Sequence, residues 1–254
     1  MSLPLDQQVV IVTGAGRGLG AAIAEAFVRE GARVAINYRD SRASAEALAN
    51  RLGENACAVQ ADIRDADAVK RMVAEVTATF GAPTTAIHNA LADFSFNGDA
   101  RSKLDTLSWP EIAAHMETGL KGFLNLIQAV RPAMAEAGFG RIVAIGTNLF
   151  QNPVVPYHDY TAAKASLLSL TRTAAAELGP DGITVNMVSG GLLRTTDASA
   201  ATPEAVFDLI AQNTPLRRVT TPAEAADTVV FFASPWARAV TGQNLIADGG
   251  LVFG

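Results

Sequence analysis

Cysteine is nearly absent from these 254 residues: Cys57 stands alone. A single cysteine forms no internal disulfide and no thiolate metal cluster, and its expected role is that of a small apolar residue in a strand. Histidine is also scarce, and His88, His115 and His158 are scattered without the spacing of a metal site. Basic residues do not predominate. Twenty Lys and Arg against 25 Asp and Glu leave a net charge of −5. A surface that binds nucleic acid usually leaves a basic footprint, so no nucleic-acid partner is expected. No apolar run approaches the roughly 18–20 residues that span a bilayer, so no membrane is expected either. The opening MSLPLDQQVVIVTGAG has no basic stretch followed by a long apolar one, which argues against a signal peptide. The expected location is the cytoplasm.

What is present is apolar and regularly arranged. The chain is 49% hydrophobic, enough to bury a sizeable core. Short β-branched runs alternate with segments of helical period. Strands are expected at Val9–Val12, Arg33–Asn37, Ala56–Gln60, Thr84–Ile87, Arg141–Ile145, Thr184–Val188 and Leu245–Ala247. Helices are expected over Gly18–Glu30, Ser41–Leu52, about Asp65 to Thr79, and around Tyr160 and Lys164. Strands apolar on both faces and joined by helices imply a parallel sheet covered on both sides. Right-handed crossovers then give an α/β fold: a single doubly wound Rossmann-type domain over 1–254, with about seven strands and helices on both faces. Residues 192–212 form an excursion long enough to serve as a substrate loop.

The stretch VVIVTGAGRGLGAAIAEAF sets Gly14, Gly16, Gly18 and Gly20 directly after a strand and at the start of a helix. Glycines let a backbone approach a pyrophosphate closely, and the helix N-terminus supplies free N–H groups and a partial positive charge. The strict G-x-G-x-x-G pattern fails at Leu19; the pattern present is T-G-x-x-x-G-x-G, from Thr13 to Gly20. Its strand–turn–helix setting points to dinucleotide binding. An NAD site usually carries an acid at the end of the second strand, on the ribose 2′-hydroxyl. Here that place reads INYRD, with Tyr38 and Arg39 in position. A guanidinium suits a 2′-phosphate, and Arg17 adds charge on the same side. The expected cofactor is therefore NADP(H) rather than NAD(H), with Asp40 as the counter-indication.

Tyr160 and Lys164 are spaced i,i+4, which aligns them on one helix face. Thr147 lies thirteen residues upstream of Tyr160, and Tyr157 and His158 crowd the same stretch. Together TGAGRGLG, ADI, HNA, YTAAK, ITVNMVSGG and TGQNLIADGG resemble the short-chain dehydrogenases/reductases, in the family's order and over almost the whole chain. Within that family the chain looks most like the 3-oxoacyl-[acyl-carrier-protein] reductases. The resemblance implies roles. Thr13, Gly14, Gly18 and Gly20 match the phosphate-binding turn. Asp62 and Ile63 match the pair that holds the adenine, and Asn89 and Ala90 match the start of Asn-Ala-Gly. Gly191 and Thr195 match the segment on the nicotinamide amide and diphosphate. Tyr160 and Lys164 match the catalytic pair, and the C-terminal DGG resembles the segment that joins subunits, so a homotetramer or homodimer is implied. Four positions depart from the family's pattern. Leu91 and Gly190 stand for its glycine and proline, Thr147 takes the catalytic serine's place, and Gly119 takes that of the catalytic asparagine.

The chemistry expected is hydride reduction of a ketone, with Tyr160 as general acid and Lys164 favouring phenolate and so lowering the tyrosine's pKa. Thr147 keeps a hydroxyl for the substrate oxygen, whereas Gly119 offers no side chain to a proton relay. Leu149, Phe150, Val154, Val155, Leu192, Leu193, Phe94 and Phe96 suit an acyl chain or another hydrophobic ketone, and equally suit ordinary packing beneath a loop; Tyr157 is expected at the substrate pocket or in the packing. The expected substrate is a small-molecule ketone or acyl thioester, with acyl carrier protein as a candidate partner; no cluster in the sequence reads unambiguously as its dock, and Arg131 and Lys121 are candidate contacts only because an acidic carrier needs basic partners. Two alternatives stay open: a dehydrogenase of another alcohol, steroid or sugar, and a dinucleotide-binding regulatory subunit that has lost catalysis.

Overall fold

The computed structural model describes residues 2–92, 101–194, 196 and 199–253. Seven parallel strands form one sheet: β1 (Val9–Val12), β2 (Arg33–Tyr38), β3 (Ala56–Gln60), β4 (Thr85–His88), β5 (Gly140–Thr147), β6 (Ile183–Gly190) and β7 (Asn244–Ala247). Their spatial order is β3-β2-β1-β4-β5-β6-β7. Every strand residue of β1, β4 and β5 is buried, as expected where helices cover both faces.

The two-residue strand period sorts side chains between two cores. Val9 and Ile11 enter one, and Val10 and Val12 the other. The first core is closed by α3 (Ala66–Phe80), α5 (Gly122–Ala137) and α6 (His158–Leu178), through Val69, Met72, Phe123, Leu126 and Leu167. The second is closed by α1 (Gly18–Arg29), α2 (Arg42–Leu52) and α8 (Pro222–Ala233), through Ile23, Phe27, Leu48 and Val229. Phe27 and Phe123 are fully buried, so truncating either to alanine would cost about 3–5 kcal/mol. Asp65 caps α3 by accepting from the Asp67 and Ala68 N–H groups. Cys57 lies in β3, and burial pushes its thiol up to about 11, so it is an inert packing residue.

Two segments depart from the apolar pattern. Between β4 and β5 run α4 (Trp109–Met116), a π-helical turn (Glu117–Lys121) and α5. Gly119, Gly122 and Pro132 interrupt the helical signal there. Within 192–212 the structure places most of helix α7 (Glu204–Asn213), so part of the expected loop is helix. Among the described residues no helix is long and apolar enough to cross a membrane.

Candidate active site

From β1 the chain runs outward to β2 and β3, then returns to β4 on the other side of β1. The carboxyl ends of β1 and β4 open at that switch, where parallel α/β sheets bind ligands. A cleft of about 1660 Å³ lies there, running from the glycine turn to Thr147, Tyr160 and Lys164.

At one end of the cleft the backbone forms a close-fitting cradle. Gly14 and Gly18 adopt left-handed φ of 62° and 58°. A Cβ on Gly14 would stand 2.8 Å from the Ala90 Cα, and one on Gly20 2.5 Å from the Asn89 Nδ2. Arg17, the exposed N-cap of α1, gives no side-chain cap, so the N–H groups of the first turn are left for a ligand at the cleft wall formed by Gly18, Leu19 and Gly20. This donor set fits a dinucleotide pyrophosphate. Thr13 and Gly16 sit behind the wall rather than on it. The Thr13 Oγ1 accepts the Asn89 and Ala90 N–H groups, joining β1 to the end of β4. Gly16 is held so close to Ser41 that a Cβ would meet its Oγ at 2.7 Å. The Asn89 Nδ2 donates to the Thr13 and Gly14 carbonyls, which fixes the turn from beneath.

At the end of β2, Arg39 lines the cleft with its Nε on the Asp40 carboxylate. Tyr38 also borders the cleft, but its side chain is buried in the second core, with the Arg42 guanidinium 5.8 Å from its ring centroid. Asp62 and Ile63 line the wall beyond. The Arg64 side chain bonds the Asp62 carboxylate, as close as 2.6 Å, and holds it below the usual range. Gly191 lines the far wall, and Thr195 lies outside the described residues.

At the other end α6 brings Tyr160 and Lys164 together, both buried, with the Lys164 Nζ 5.8 Å from the tyrosine ring centroid. The ammonium donates to the Ile145 carbonyl at 2.6 Å. Burial depresses Lys164 to about 8. The same burial raises Tyr160 to about 12, and a hydrogen bond with the Thr147 side chain opposes it. The expected lowering of the tyrosine by its lysine is therefore reversed in the protein alone, because desolvating a phenolate outweighs the help it receives. Thr147 ends β5 and turns its Oγ1 to the Leu149 N–H as well.

Leu149, Val154, Val155, Tyr157, Leu192 and Leu193 line the cleft beside this cluster. Tyr157 is the buried N-cap of α6, not a rival to Tyr160 on the helix. Phe150 is a correction: it packs against the first core and is not part of the lining. Phe94 and Phe96 lie outside the described residues. Arg131 pairs with Glu177 and Asp181, and Lys121 with Glu117, so neither basic residue is on the cleft wall. Leu91, at the family's glycine position, is exposed on the cleft rim. A Cβ on Gly190 would meet only the Leu193 Cδ2, at 4.0 Å, so that position has room for a side chain.

Three supports escaped the sequence patterns. Asn37 accepts the Gly14 N–H and donates to the Ala61 carbonyl, tying the glycine turn to β3; a polar residue inside an apolar strand was its signal. Asp248 accepts from the Asn148 Nδ2 and from the N–H groups of Gly250, Leu251 and Val252, which folds the C-terminal turn behind Gly191. Asp159, beside Tyr160, is buried against Arg101 and His115.

The chain is similar to known proteins in sequence and fold. A family model described as Enoyl-(Acyl carrier protein) reductase matches residues 14–252. The 3-oxoacyl-[acyl-carrier-protein] reductase FabG of Staphylococcus epidermidis is 34% identical over 95% of this chain and 97% of its own. The probable galactose dehydrogenase GalD of Rhizobium meliloti is 32% identical over 99% and 100%. A blue fluorescent protein from a metagenomic library, solved in complex with NADPH, superposes with a TM-score of 0.87 at 32% identity, covering 99% of this chain and 100% of that one.

Proposed function

The chain belongs to the short-chain dehydrogenase/reductase family, and on that premise we propose that it reduces a ketone, a 3-oxoacyl thioester in the first instance, with NADP(H) preferred over NAD(H). One observation carries the reading: the glycine cradle and the Tyr160–Lys164–Thr147 cluster open into one cleft, walled between them by apolar side chains. The NADPH-bound structural relative and Arg39 at the end of β2 support the choice of cofactor. The FabG relative supports the acyl substrate. An acyl carrier protein as the thioester's bearer, a homotetramer or homodimer, and a cytoplasmic location belong to the same proposal.

A dinucleotide held along the cleft would supply the hydride. The residues of the chain manage the oxygen and its proton. The first-turn amides of α1, with Asn37 fixing the turn through the Gly14 N–H, would hold its phosphate end in register. The Thr147 hydroxyl donates to the ketone oxygen and polarises the carbonyl. Tyr160 delivers its proton as negative charge grows on that oxygen; a tyrosine held near 12 is fully protonated at neutral pH and ready to donate. The Lys164 ammonium offsets the charge left on the phenolate oxygen. In oxidation the phenolate is the base that takes the alcohol proton. Leu149, Val155 and Leu193 keep water from the reacting carbon.

The GalD relative favours a second reading, a sugar dehydrogenase on the same scaffold. The purified protein is to be incubated with NADPH or NADH and a panel of 3-oxoacyl thioesters, simple ketones and galactose. Turnover of a 3-oxoacyl thioester with NADPH that disappears in Tyr160→Phe is the expected result. Oxidation of galactose without thioester reduction would replace the first reading by the second. Cofactor binding with no turnover would leave a regulatory subunit.

A further inference from the structure

Asn148 is a buried amide to which the proton chemistry gives no task. It follows Thr147 directly, is 4% exposed, and donates its Nδ2 to the Asp248 carboxylate at 2.9 Å, across 100 positions of the chain. Asp248 is buried as well. Its Oδ1 accepts the Gly250 and Leu251 N–H groups and its Oδ2 the Val252 N–H, so the carboxylate closes the C-terminal turn. A buried polar pair with its bonds made rigidifies what it joins. Gly191 is where the pair is seated: a Cβ there would meet the Asn148 Nδ2 and the Asp248 Cβ, each at 3.2 Å. The residues that follow β5, β6 and β7 are thus fastened at one point beside Thr147.

The C-terminal turn carries that point onward to α7. A Cβ on Gly249 would stand 2.7 Å from the Thr214 Cγ2, and one on Gly250 3.1 Å from the Pro215 Cγ. The Leu216 N–H donates to the Gly249 carbonyl at 3.2 Å. Thr214 is fully buried and donates its Oγ1 hydroxyl to the Ile210 carbonyl, which ties this foot to the last turn of α7. The helix itself is lightly seated. Of its ten residues only Phe207 is buried, with the Arg194 guanidinium 4.9 Å from its ring centroid. Val206 and Leu209 are exposed and, with Ile210, line the cleft, as does Leu251 of the C-terminal turn. A helix with so little buried surface takes its position from what holds its ends.

We propose that Asn148 is a positioning residue that sets which substrates fit: through Asp248 it fixes the C-terminal turn, and through that turn the foot of α7, so that Leu251 and the Val206, Leu209 and Ile210 face of α7 stand at one spacing from the Thr147 hydroxyl. A short apolar ketone reaches that hydroxyl and these walls at once only while the walls stay close. A long acyl chain finds apolar surface along the cleft wherever they stand. The clamp therefore favours a short, compact 3-oxoacyl group over a long one. The inference rests on the reductase reading of the same site.

The test joins kinetics to hydrogen exchange on the NADPH-loaded protein. Asn148→Leu keeps the volume and removes the amide. It is expected to raise KM for a short 3-oxoacyl thioester about tenfold, with a smaller change in kcat, and to move KM for a long-chain thioester and the NADPH Kd by less than about twofold. Amide exchange is expected to accelerate about tenfold at Leu216, Leu251 and Val252 and to stay unchanged in β5 and α6. Asn148→Asp combined with Asp248→Asn exchanges donor and acceptor and is expected to recover most of both effects. Asn148→Asp alone, which sets two carboxylates face to face, is expected to recover neither. A short-to-long KM ratio within about twofold of wild type, or a loss of NADPH affinity equal to the rise in KM, overturns the proposal. Should Asn148→Leu not fold, Asn148→Ser, too short to reach Asp248, takes its place. Tyr160→Phe run in parallel separates the two readings. Reduction that survives there removes the reductase reading and the size role with it, whereas unchanged exchange at Leu216 in an active enzyme removes only the role of Asn148.

Discussion

The Asp159 carboxylate accepts the backbone N–H of Tyr160 at 2.9 Å through its Oδ1, while its Oδ2 takes the Arg101 guanidinium and lies 3.5 Å from the His115 Nε2. His115 in turn meets the Tyr160 ring edge-on, with centroids 6.1 Å apart. Burial lowers the His115 pKa, although Asp159 opposes the shift, so its contact with the carboxylate is not an ion pair at neutral pH. Arg101 alone supplies the countercharge among these three. The tyrosine is thus gripped from its own backbone and from the side of its ring.

Removing that carboxylate strands a guanidinium and frees the start of α6. Asp159→Ala is expected to cost about 3 kcal/mol, a Tm fall of roughly 10 °C, together with a loss in kcat. Asp159→Asn keeps an acceptor for the Tyr160 N–H and is expected to lose less of both. Thermal melts and steady-state kinetics on the two variants check this. Equal damage from both would mean that the charge on Asp159, not its hold on the tyrosine backbone, is what matters.

Arg39 and Asp40 set the cofactor choice against each other, because the carboxylate occupies the Arg39 Nε. A guanidinium on a 2′-phosphate is worth about 1.5–3 kcal/mol, so Arg39→Ala is expected to weaken NADPH binding about 10–100-fold and to leave NADH nearly unchanged. Asp40→Asn is expected to do the opposite and tighten NADPH. Isothermal titration with both dinucleotides gives the answer. A loss shared equally by NADPH and NADH would move the discriminating group elsewhere.

The fold could be read from the chain because its signals are local. Val9–Val12 declares a strand by composition, the glycines from Gly14 to Gly20 declare a turn that must approach something closely, and the four-residue spacing of Tyr160 and Lys164 declares a shared helix face. Less local features could not be read. Arg101 reaches Asp159 across 58 positions, and only the path of the loop before α4 brings them together. The π-helical turn has no marker beyond Gly119 itself. Helix α7 carries Val206, Leu209 and Ile210 at helical spacing, but so short a run inside a long polar excursion does not distinguish a helix from a loop. The sign of the Tyr160 shift turned on burial, which a lysine four residues away does not reveal.

The buried lysine also sets a pH limit on reduction. Lys164 is charged below about 8 and loses its proton above that value, whereas Tyr160 remains protonated to about 12. The phenolate left by proton transfer keeps its countercharge only on the acid side. The value of kcat/KM for ketone reduction is therefore expected to fall as pH rises through about 8, tenfold per pH unit in the limit. A pH–rate profile with stopped-flow mixing, to stay ahead of inactivation, measures it. A profile flat to pH 10 would show that the Lys164 charge does not contribute to the rate-limiting barrier.

The same desolvation makes Lys164 a cost to the fold. Its pKa is lowered from 10.5 to about 8, so the unfolded chain binds the proton more tightly than the native one. Below pH 8 both states are charged and the native state carries the full penalty, about 3 kcal/mol at most. Between 8 and 10.5 the native lysine is neutral while the unfolded one still holds its proton, and the penalty fades as pH rises. Lys164→Met keeps the stem and removes the charge, although it leaves the Ile145 carbonyl without its ammonium donor. The variant is therefore expected to melt higher than wild type at pH 7, to lose that advantage by about pH 10, and to have no reductase activity. Differential scanning calorimetry at both pH values follows the first two outcomes. A variant less stable than wild type at pH 7 would mean that the bond to Ile145 outweighs the buried charge, and that the site's lysine supports the fold as well as the chemistry.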